Sequence, residues 1–600
     1  MIAPSDGTIQ WPVGRDLWYL VLLALLPILG YQFGVGNQIE QFSLVERVLD
    51  PGFIAGDFFV DSSVGFGPRF YFVRVVAALA SVTSLPVAVL LLALVTNFAL
   101  AVVTWAAART LLSATRLGGA LAATLAITNA GFALGLAAFL RFDSFQPANV
   151  AIALGLAGVL LLLTRGRGVA CAVLFTLASM MHPLIGAELS ALGFGSAIVI
   201  GPSDRRRHLV WPAGLTALLT VAVWAGPRLF FPAPAQPPAD LFGIMATFRA
   251  PHHYLAGSFP VSHYLAFGVF LAGIVVLGRR HVRDRGWTTT TGALALMTLG
   301  VLLLCLGSAF FVDVRHVSLW VMAQPFRMLL LIKWIGYLLV GSFLADQIAE
   351  DQRSGWAIAT AILLAPAEAL GAIVLLAAGL ALWPGDRPKR AGILLPIGCI
   401  ALVLVAIPGL GAVNEAIRPV VALFALGMMF VARVRWAPIV ATAAVAVLLL
   451  VVVANRSSGV RQLKAFRPTF SWSDVVTPAA EAARWARANT AEGSVWIIPP
   501  DVELFRLVAH RPVVVDFTSI PLSNRGMIEW RERMTAVYGE VQDGGFAGLR
   551  DMLQHYQAGD RDRLAQAAQR YGATHAMLLA ATPWPGKVLF QNASYKIVAL

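Results

Sequence analysis

The chain has 600 residues, of which 58% are hydrophobic and only 13% charged, with a formal net charge of +13. A soluble protein of this length is about a quarter charged, so a purely soluble fold is excluded and lipid is the solvent for most of the chain. The positive excess sits in short loops between apolar runs, where it sets membrane orientation and argues against a nucleic-acid partner.

Apolar runs able to cross a hydrocarbon core recur through the first three quarters of the sequence. In order, the expected spans are 17–34, 84–108, 117–140, 150–164, 168–181, 184–201, 209–226, 262–278, 288–311 and 325–345. The first run lacks a small-residue cleavage site and reads as a retained helix. With the N-terminus inside, the basic loops around Arg165 and Arg167, Arg205 to Arg207, and Arg279 to Arg285 all fall inside, as positive loops do. The same alternation places 35–69, 141–149, the turn at His182, 227–261 and 312–324 outside.

Parity turns on 356–382. Read as one span, it leaves Arg387, Lys389, Arg390, Arg433 and Arg435 outside. Read as a re-entrant hairpin broken near Pro366, it returns those charges to the cytoplasm, which the positive-inside rule favours. Glu368 also suits a protein-buried element that does not span. Spans at 391–409, 418–432 and 436–454 then carry the chain out. The expected fold class is a polytopic α-helical membrane protein of about 13 spans, with a membrane domain at 1–454 and a soluble α/β domain at 455–600.

In that C-terminal part, 478–490 reads as an amphipathic helix, with further helices at 524–538 and 560–570. Val495–Ile498, Val513–Asp516 and His575–Leu579 read as strands, and 587–591 with 594–599 as a closing hairpin. No glycine-rich phosphate loop is present. Cys171, Cys305 and Cys399 all lie in apolar runs, so neither a disulfide framework nor a metal site follows from them.

Chemistry concentrates on the outer side. The loop 35–69 carries Glu40, Glu46, Asp50, Asp57 and Asp61 against Arg47 and Arg69, an acidic island in a basic protein. Glu40, a few residues past the first span, is placed to act as a general base on an acceptor hydroxyl. The plainer reading of these acids is helix capping, as Asp50 before Pro51 illustrates. Loop 227–261 holds Arg249-Ala250-Pro251-His252-His253-Tyr254. Adjacent histidines do not share a helix face, so an anionic head group fits this stretch better than a metal; a loop lying among lipid head groups is the alternative. Arg141 and Asp143, His182-Pro183, and Gln324-Pro325-Phe326-Arg327 complete the outer polar set. Arg327 is the most telling, because an outer-side arginine at the mouth of a span runs against the positive-inside rule. Lys333 lies two turns deeper, where snorkelling or pairing accounts for it.

At these residues the chain resembles the GT-C superfold of polytopic glycosyltransferases, and specifically an uncharacterised bacterial branch of it. The resemblance rests on Asn37-Gln38-Ile39-Glu40, Leu49-Asp50-Pro51 and Gly56-Asp57-Phe58-Phe59 after the first span, and on the Arg249 and Arg327 stretches. The late segment with Phe505-Arg506, His510-Arg511, Glu529-Trp530 and Arg533 also belongs to it. It implies a multi-pass protein of the bacterial inner membrane with a periplasmic C-terminal domain. The implied reaction transfers a sugar, with inversion, from a polyprenyl-phosphate donor to an acceptor glycan, lipid or protein. Glu40 and then Asp57 match the catalytic base, while Arg249, His252, His253 and Arg327 are candidates for the donor phosphate. Arg141, Asp143 and His182 are further cavity candidates. No cofactor is implied, with a divalent metal left open. The chain departs from the protein mannosyltransferases in having Ile39-Glu40-Gln41 where they carry a paired Asp-Glu. Two other classes compete: a transporter or lipid flippase, which broken helices and buried charges would also fit, and a non-catalytic assembly partner with the same fold.

Overall fold

A computed structural model describes residues 8–129, 139–164, 168–230, 236–365, 367–382, 412–432, 436–454 and 468–600. The far end of the expected third span, the loop 165–167, Pro366, the span 391–409, the charges at 387–390 and 433–435, and the boundary at 455 lie outside the described residues.

The chain opens with α1 (Arg15–Leu25), α2 (Gln38–Leu49), α3 (Phe58–Ser63), α4 (Phe70–Ala80), α5 (Leu85–Leu111) and α6 (Arg116–Thr128). Then follow α7 (Pro147–Leu163), α8 (Gly168–Met181), α9 (Pro183–Ile200) and α10 (Ser203–Phe230). A π-helix at Phe242–Arg249 and the single turn α11 (Pro251–Tyr254) lead into α12 (Val261–Arg285), α13 (Thr289–Phe311) and α14 (Ser318–Ala323). After these come α15 (Leu329–Glu350), α16 (Gln352–Leu363), α17 (Ala367–Leu382), α18 (Ala412–Leu426) and α19 (Ala437–Ala454). Among the described residues, six helices are long and apolar enough to cross a membrane, and shorter apolar helices accompany them. This is a polytopic helical membrane protein.

Local chemistry sets the helix ends. Pro147 and Pro183 open α7 and α9, where a missing N–H costs nothing. Thr288 and Thr291 form a reciprocal capping box at the start of α13. The first apolar run departs from expectation: α1 ends at Leu25, and Leu26–Ile28 is a 3-10 turn. Pro27 sits in that turn, and Gly30 and Gly34 then take φ of 84° and 76°, which turn the backbone out of any helix.

At the centre is α15. Its segment is 94% buried, against 17% for the segment in α10. Small residues let α6 reach it, since a Cβ on Gly341 would lie 2.6 Å from the Ala122 nitrogen and 2.7 Å from the Gly118 carbonyl. Trp334 Nε1 donates to Thr104 Oγ1 at 3.1 Å, and the Tyr337 hydroxyl donates to the Asn129 carbonyl at 3.2 Å.

The segment 352–382 doubles back. Gly355 of α16 packs on Gln347 and Ile348 of α15, so α16 starts beside the end of α15. Gly371 of α17 lies against Ala266 and Phe270, and Gly273 lies against Val374 and Leu375. Both pairs advance together, so α17 runs parallel to α12. The two ends of the segment therefore lie on the same membrane side.

The C-terminal domain comprises α20 (Pro478–Asn489), β1 (Val495–Ile497), α21 (Phe505–Ala509), α22 (Asn524–Tyr538), α23 (Gly545–Ala558), α24 (Arg561–Tyr571), β2 (Ala573–Leu579), β3 (Val588–Gln591) and β4 (Tyr595–Ala599). The sheet order is β1-β2-β4-β3, with β1 parallel to β2 and the other pairs antiparallel. The expected strand at 513–516 reduces to one bridge between Val513 and Trp496. Asp516 ends it, because its Oδ1 accepts from the Thr518 and Ser519 nitrogens and folds the chain into a tight loop.

This domain sits on the loops before α3 and before α12. Phe58, Ile244 and Phe248 join Trp530, Met534 and Val537 in its core. Tyr31 and Phe33 exchange backbone bonds with Thr469, at 3.0 Å each. The domain and the loop 35–69 consequently share one side of the membrane.

Candidate functional site

Between the membrane helices and this domain lies a cavity of about 400 Å³. From the expected set it gathers Glu40, His182 and Arg327, together with Arg69, Tyr254 and Gln324.

Glu40 is in the first turn of α2 and is buried. Its Oε2 is paired with Arg69, whose Nη1 also donates to the Ile520 carbonyl at 3.4 Å. Oε1 has no hydrogen-bond partner among the described residues, which leaves it open to the cavity that Glu40 lines. Burial raises the carboxyl above its ordinary range, with Arg69 and Arg249 pulling it back.

Arg327 sits in a 3-10 turn that leads into α15. Gln324, held left-handed at φ 52°, bridges two groups: its amide nitrogen donates to the Tyr254 hydroxyl at 2.8 Å, and its oxygen accepts from Arg327 Nε at 2.5 Å. The guanidinium has no ion-pair partner among the described residues, so its outer nitrogens are left as donors at the cavity wall. His182 caps α9 by accepting from the Ile185 nitrogen at Nδ1, at 3.5 Å. Neutral imidazole accepting at Nδ1 carries its proton on Nε2 and can donate there. Glu188, further along α9, has Arg327 as an electrostatic partner and a buried Oε2 without a hydrogen bond among the described residues.

The other expected residues have different surroundings. Asp57 is fully buried: it caps α3 through the Val60 nitrogen at 3.0 Å, accepts from the Val513 nitrogen at 2.9 Å, and pairs with Arg506 at 3.3 Å. Its oxygens are taken by the domain interface and do not line the cavity, a structural placement that follows from its capping position. Arg249 ends the π-helix, donates to the Thr518 carbonyl at 3.1 Å and lies 4.8 Å above the Phe517 ring. His252 stacks on Phe546 at 4.6 Å, and His253 is tilted against His252 at 4.5 Å. Burial and then Arg249 push His252 down to about 4; burial and then Arg327 and its neighbours push His253 well below its ordinary value. Both are neutral near pH 7, so positive charge here comes from arginine. Arg141 and Asp143 pair at 2.6 Å, and Arg418 joins Asp143 at 3.0 Å, away from the cavity. That triad ties α18 to the loop before α7.

Gln146, Asn524 and Met527 also line the cavity and carried no signal in the sequence. Arg69 stood in the acidic loop, but nothing in a separation of 29 residues marks it as the partner of Glu40. Glu503 was missed as well. It accepts from the Thr518 hydroxyl, and burial pushes it up to about 7 against the opposing pull of that bond. Among the described residues, no three His, Cys, Asp or Glu side chains gather as metal ligands would.

Fold and cavity together define a multi-pass helical membrane protein with a cleft that carries several charged and polar side chains, roofed by an α/β domain. Residues 478–537, from α20 into α22, match a domain of unknown function, DUF6798. No curated protein matches the chain. Among solved structures, it is similar to the archaeal oligosaccharyltransferase AglB from Archaeoglobus fulgidus, in complex with an inhibitory peptide and a dolichol-phosphate. The two share 12% identity with a TM-score of 0.44, over 94% of this chain and 69% of that one.

Proposed function

We propose that the cavity transfers a sugar from a polyprenyl-phosphate donor to an acceptor hydroxyl at the extracytoplasmic face of the membrane. The observation that carries this reading is the meeting, in one cavity, of an arginine that makes no ion pair among the described residues and a carboxylate with one oxygen open. An arginine in that state suits a phosphate, which takes two parallel N–H bonds. Its position at the start of α15 puts the phosphate at head-group depth, with the lipid tail free to follow the helices into the membrane.

Glu40 Oε1 takes the proton of the acceptor hydroxyl, and the acceptor oxygen bonds to the anomeric carbon. The bond from that carbon to the donor phosphate breaks, and its electron pair stays on the lipid phosphate. Arg327, with His182 and Tyr254 as neutral donors, meets the charge that develops there. Arg69 holds Oε2 and so fixes the direction in which Oε1 presents itself.

The test is mass spectrometry of lipids that co-purify with the full chain, combined with turnover on polyprenyl-phosphate sugars. Wild type retains a polyprenyl phosphate, Arg327→Ala loses it, and Glu40→Gln keeps the lipid while losing turnover. A wild type that carries only bulk phospholipid, with Glu40→Gln and wild type indistinguishable in every assay, overturns the proposal.

A further inference from the structure

A second cavity lies at the other end of α12. This helix begins just after the segment that the C-terminal domain contacts, so its far end, Arg279–Arg285, is on the opposite membrane side. There α12 and α13, although joined by a short connection, diverge and leave a crevice of about 470 Å³. Its floor is Ile335 and Leu339 of α15, and its walls include Val275 and Gly278 of α12 and Leu294 and Thr298 of α13. Nearly all of this lining is apolar. Water does not fill such a space at the depth of the hydrocarbon core, so its natural occupant is an acyl chain.

The rim says which lipid. Four arginines end α12, and they divide into two pairs. Arg285 is clamped by Asp346 at 2.9 Å and by the Leu112 carbonyl at 2.7 Å, while Arg280 lies against Glu350 and Asp284 at 3.3 and 3.4 Å. Arg279 and Arg283 line the crevice instead, one turn apart on the same face. Arg279 is exposed and has no ion pair among the described residues. Arg283 gives its Nε to Asp284 at 2.9 Å and keeps its outer nitrogens. Trp287, 63% exposed, closes the rim at the level where indole rings sit in a membrane interface.

We infer that this crevice is a binding site for an anionic phospholipid, with one acyl chain between α12 and α13 and the phosphate on Arg279 and Arg283. Charge complementarity at the rim selects an anionic over a zwitterionic head group. The site is independent of the transfer chemistry proposed above. It would brace the splayed helix pair against α15, the helix that follows the Arg327 turn at its other end.

The experiment places the full chain in nanodiscs containing phosphatidylglycerol and phosphatidylcholine, each in turn carrying a photoactivatable acyl chain. Expected are crosslinks to Leu294, Thr298 and Leu339 from phosphatidylglycerol in preference to phosphatidylcholine. Arg279→Gln with Arg283→Gln lowers that preference on the order of thirtyfold, from two interfacial charges. Gly278→Leu, which projects into the crevice, removes the crosslinks while leaving the rim charges intact. Equal labelling by the two lipids, or labelling spread evenly over α10, α12 and α13, overturns the inference. Unchanged thermal unfolding of the variants in phosphatidylcholine shows that they remain folded.

Discussion

Replacing Arg506 with Met tests how the C-terminal domain is fixed to the first loop. Arg506 is 1% exposed, and its partners Asp57 and Asp516 are both 0% exposed. Each carboxylate keeps two backbone donors without it: the Val60 and Val513 nitrogens for Asp57, and the Thr518 and Ser519 nitrogens for Asp516. What the substitution removes is the cation that pairs with both buried carboxylates. At an effective dielectric near 20, a unit-charge pair about 4 Å apart is worth about 4 kcal/mol. Breaking a buried pair from one side costs about 3–5 kcal/mol, much of it from the charge left behind. That raises the population of the opened domain on the order of a hundredfold to several thousandfold. Proteolysis of the C-terminal domain in the full chain, under conditions where cleavage tracks the open population, reads this directly. Adding Asp57→Asn and Asp516→Asn to Arg506→Met should return most of the loss, since no uncompensated charge remains. A cleavage rate within threefold of wild type for Arg506→Met, or a triple variant as labile as the single one, refutes the reasoning.

Glu503 gives a pH signature. Its folded value of about 7 lies above the ordinary 4.5, so between those values the folded state binds more protons than the unfolded one. Stability from this group is therefore complete below about 4.5 and falls as pH rises to about 7; Glu503→Gln should flatten that slope in urea unfolding followed by Trp530 fluorescence. Glu40 is also raised by burial, so turnover should rise with pH along a limb above the ordinary carboxylate range, and Glu40→Gln should abolish the limb and not merely shift it. Gly341→Leu should separate α15 from α6, where a Cβ already meets the Ala122 nitrogen at 2.6 Å; the expected result is loss of folded protein by size-exclusion chromatography, with Gly341→Ala intermediate. His182→Ala should cost about 1 kcal/mol as a lost helix cap and weaken retention of the lipid phosphate, whereas His182→Asn should restore the cap alone; equal lipid retention by both variants and wild type would remove His182 from the site.

The membrane class was legible because hydrophobic runs of a given length have one solution in lipid, in which every backbone group bonds within its own helix. Runs such as 288–311 and 84–108 therefore reappear within a few residues of their expected ends. The closing hairpin and the helix at 524–538 likewise reappear close to their expected bounds, and the structure shows Ser523 capping that helix. Turn chemistry was harder to weigh, and it decided the two departures. Pro27 with Gly30 and Gly34 cut the first helix short, and Asp516 spent its side chain on its own backbone and ended a strand.

For the site, the sequence determined which residues stood out, namely acids clustered after the first span and an arginine that the expected topology puts at the outer mouth of a span. It could not say which of them meet. The sequence ranked Glu40 ahead of Asp57 by position alone, two carboxylates in one loop. Only the tertiary structure separates them, by seating a domain more than four hundred residues away on Asp57 and leaving an oxygen of Glu40 open. Charge and apolar length are properties of a local stretch and survive in any fold. A carboxylate's role depends on which distant donors reach it, and those are set by packing alone.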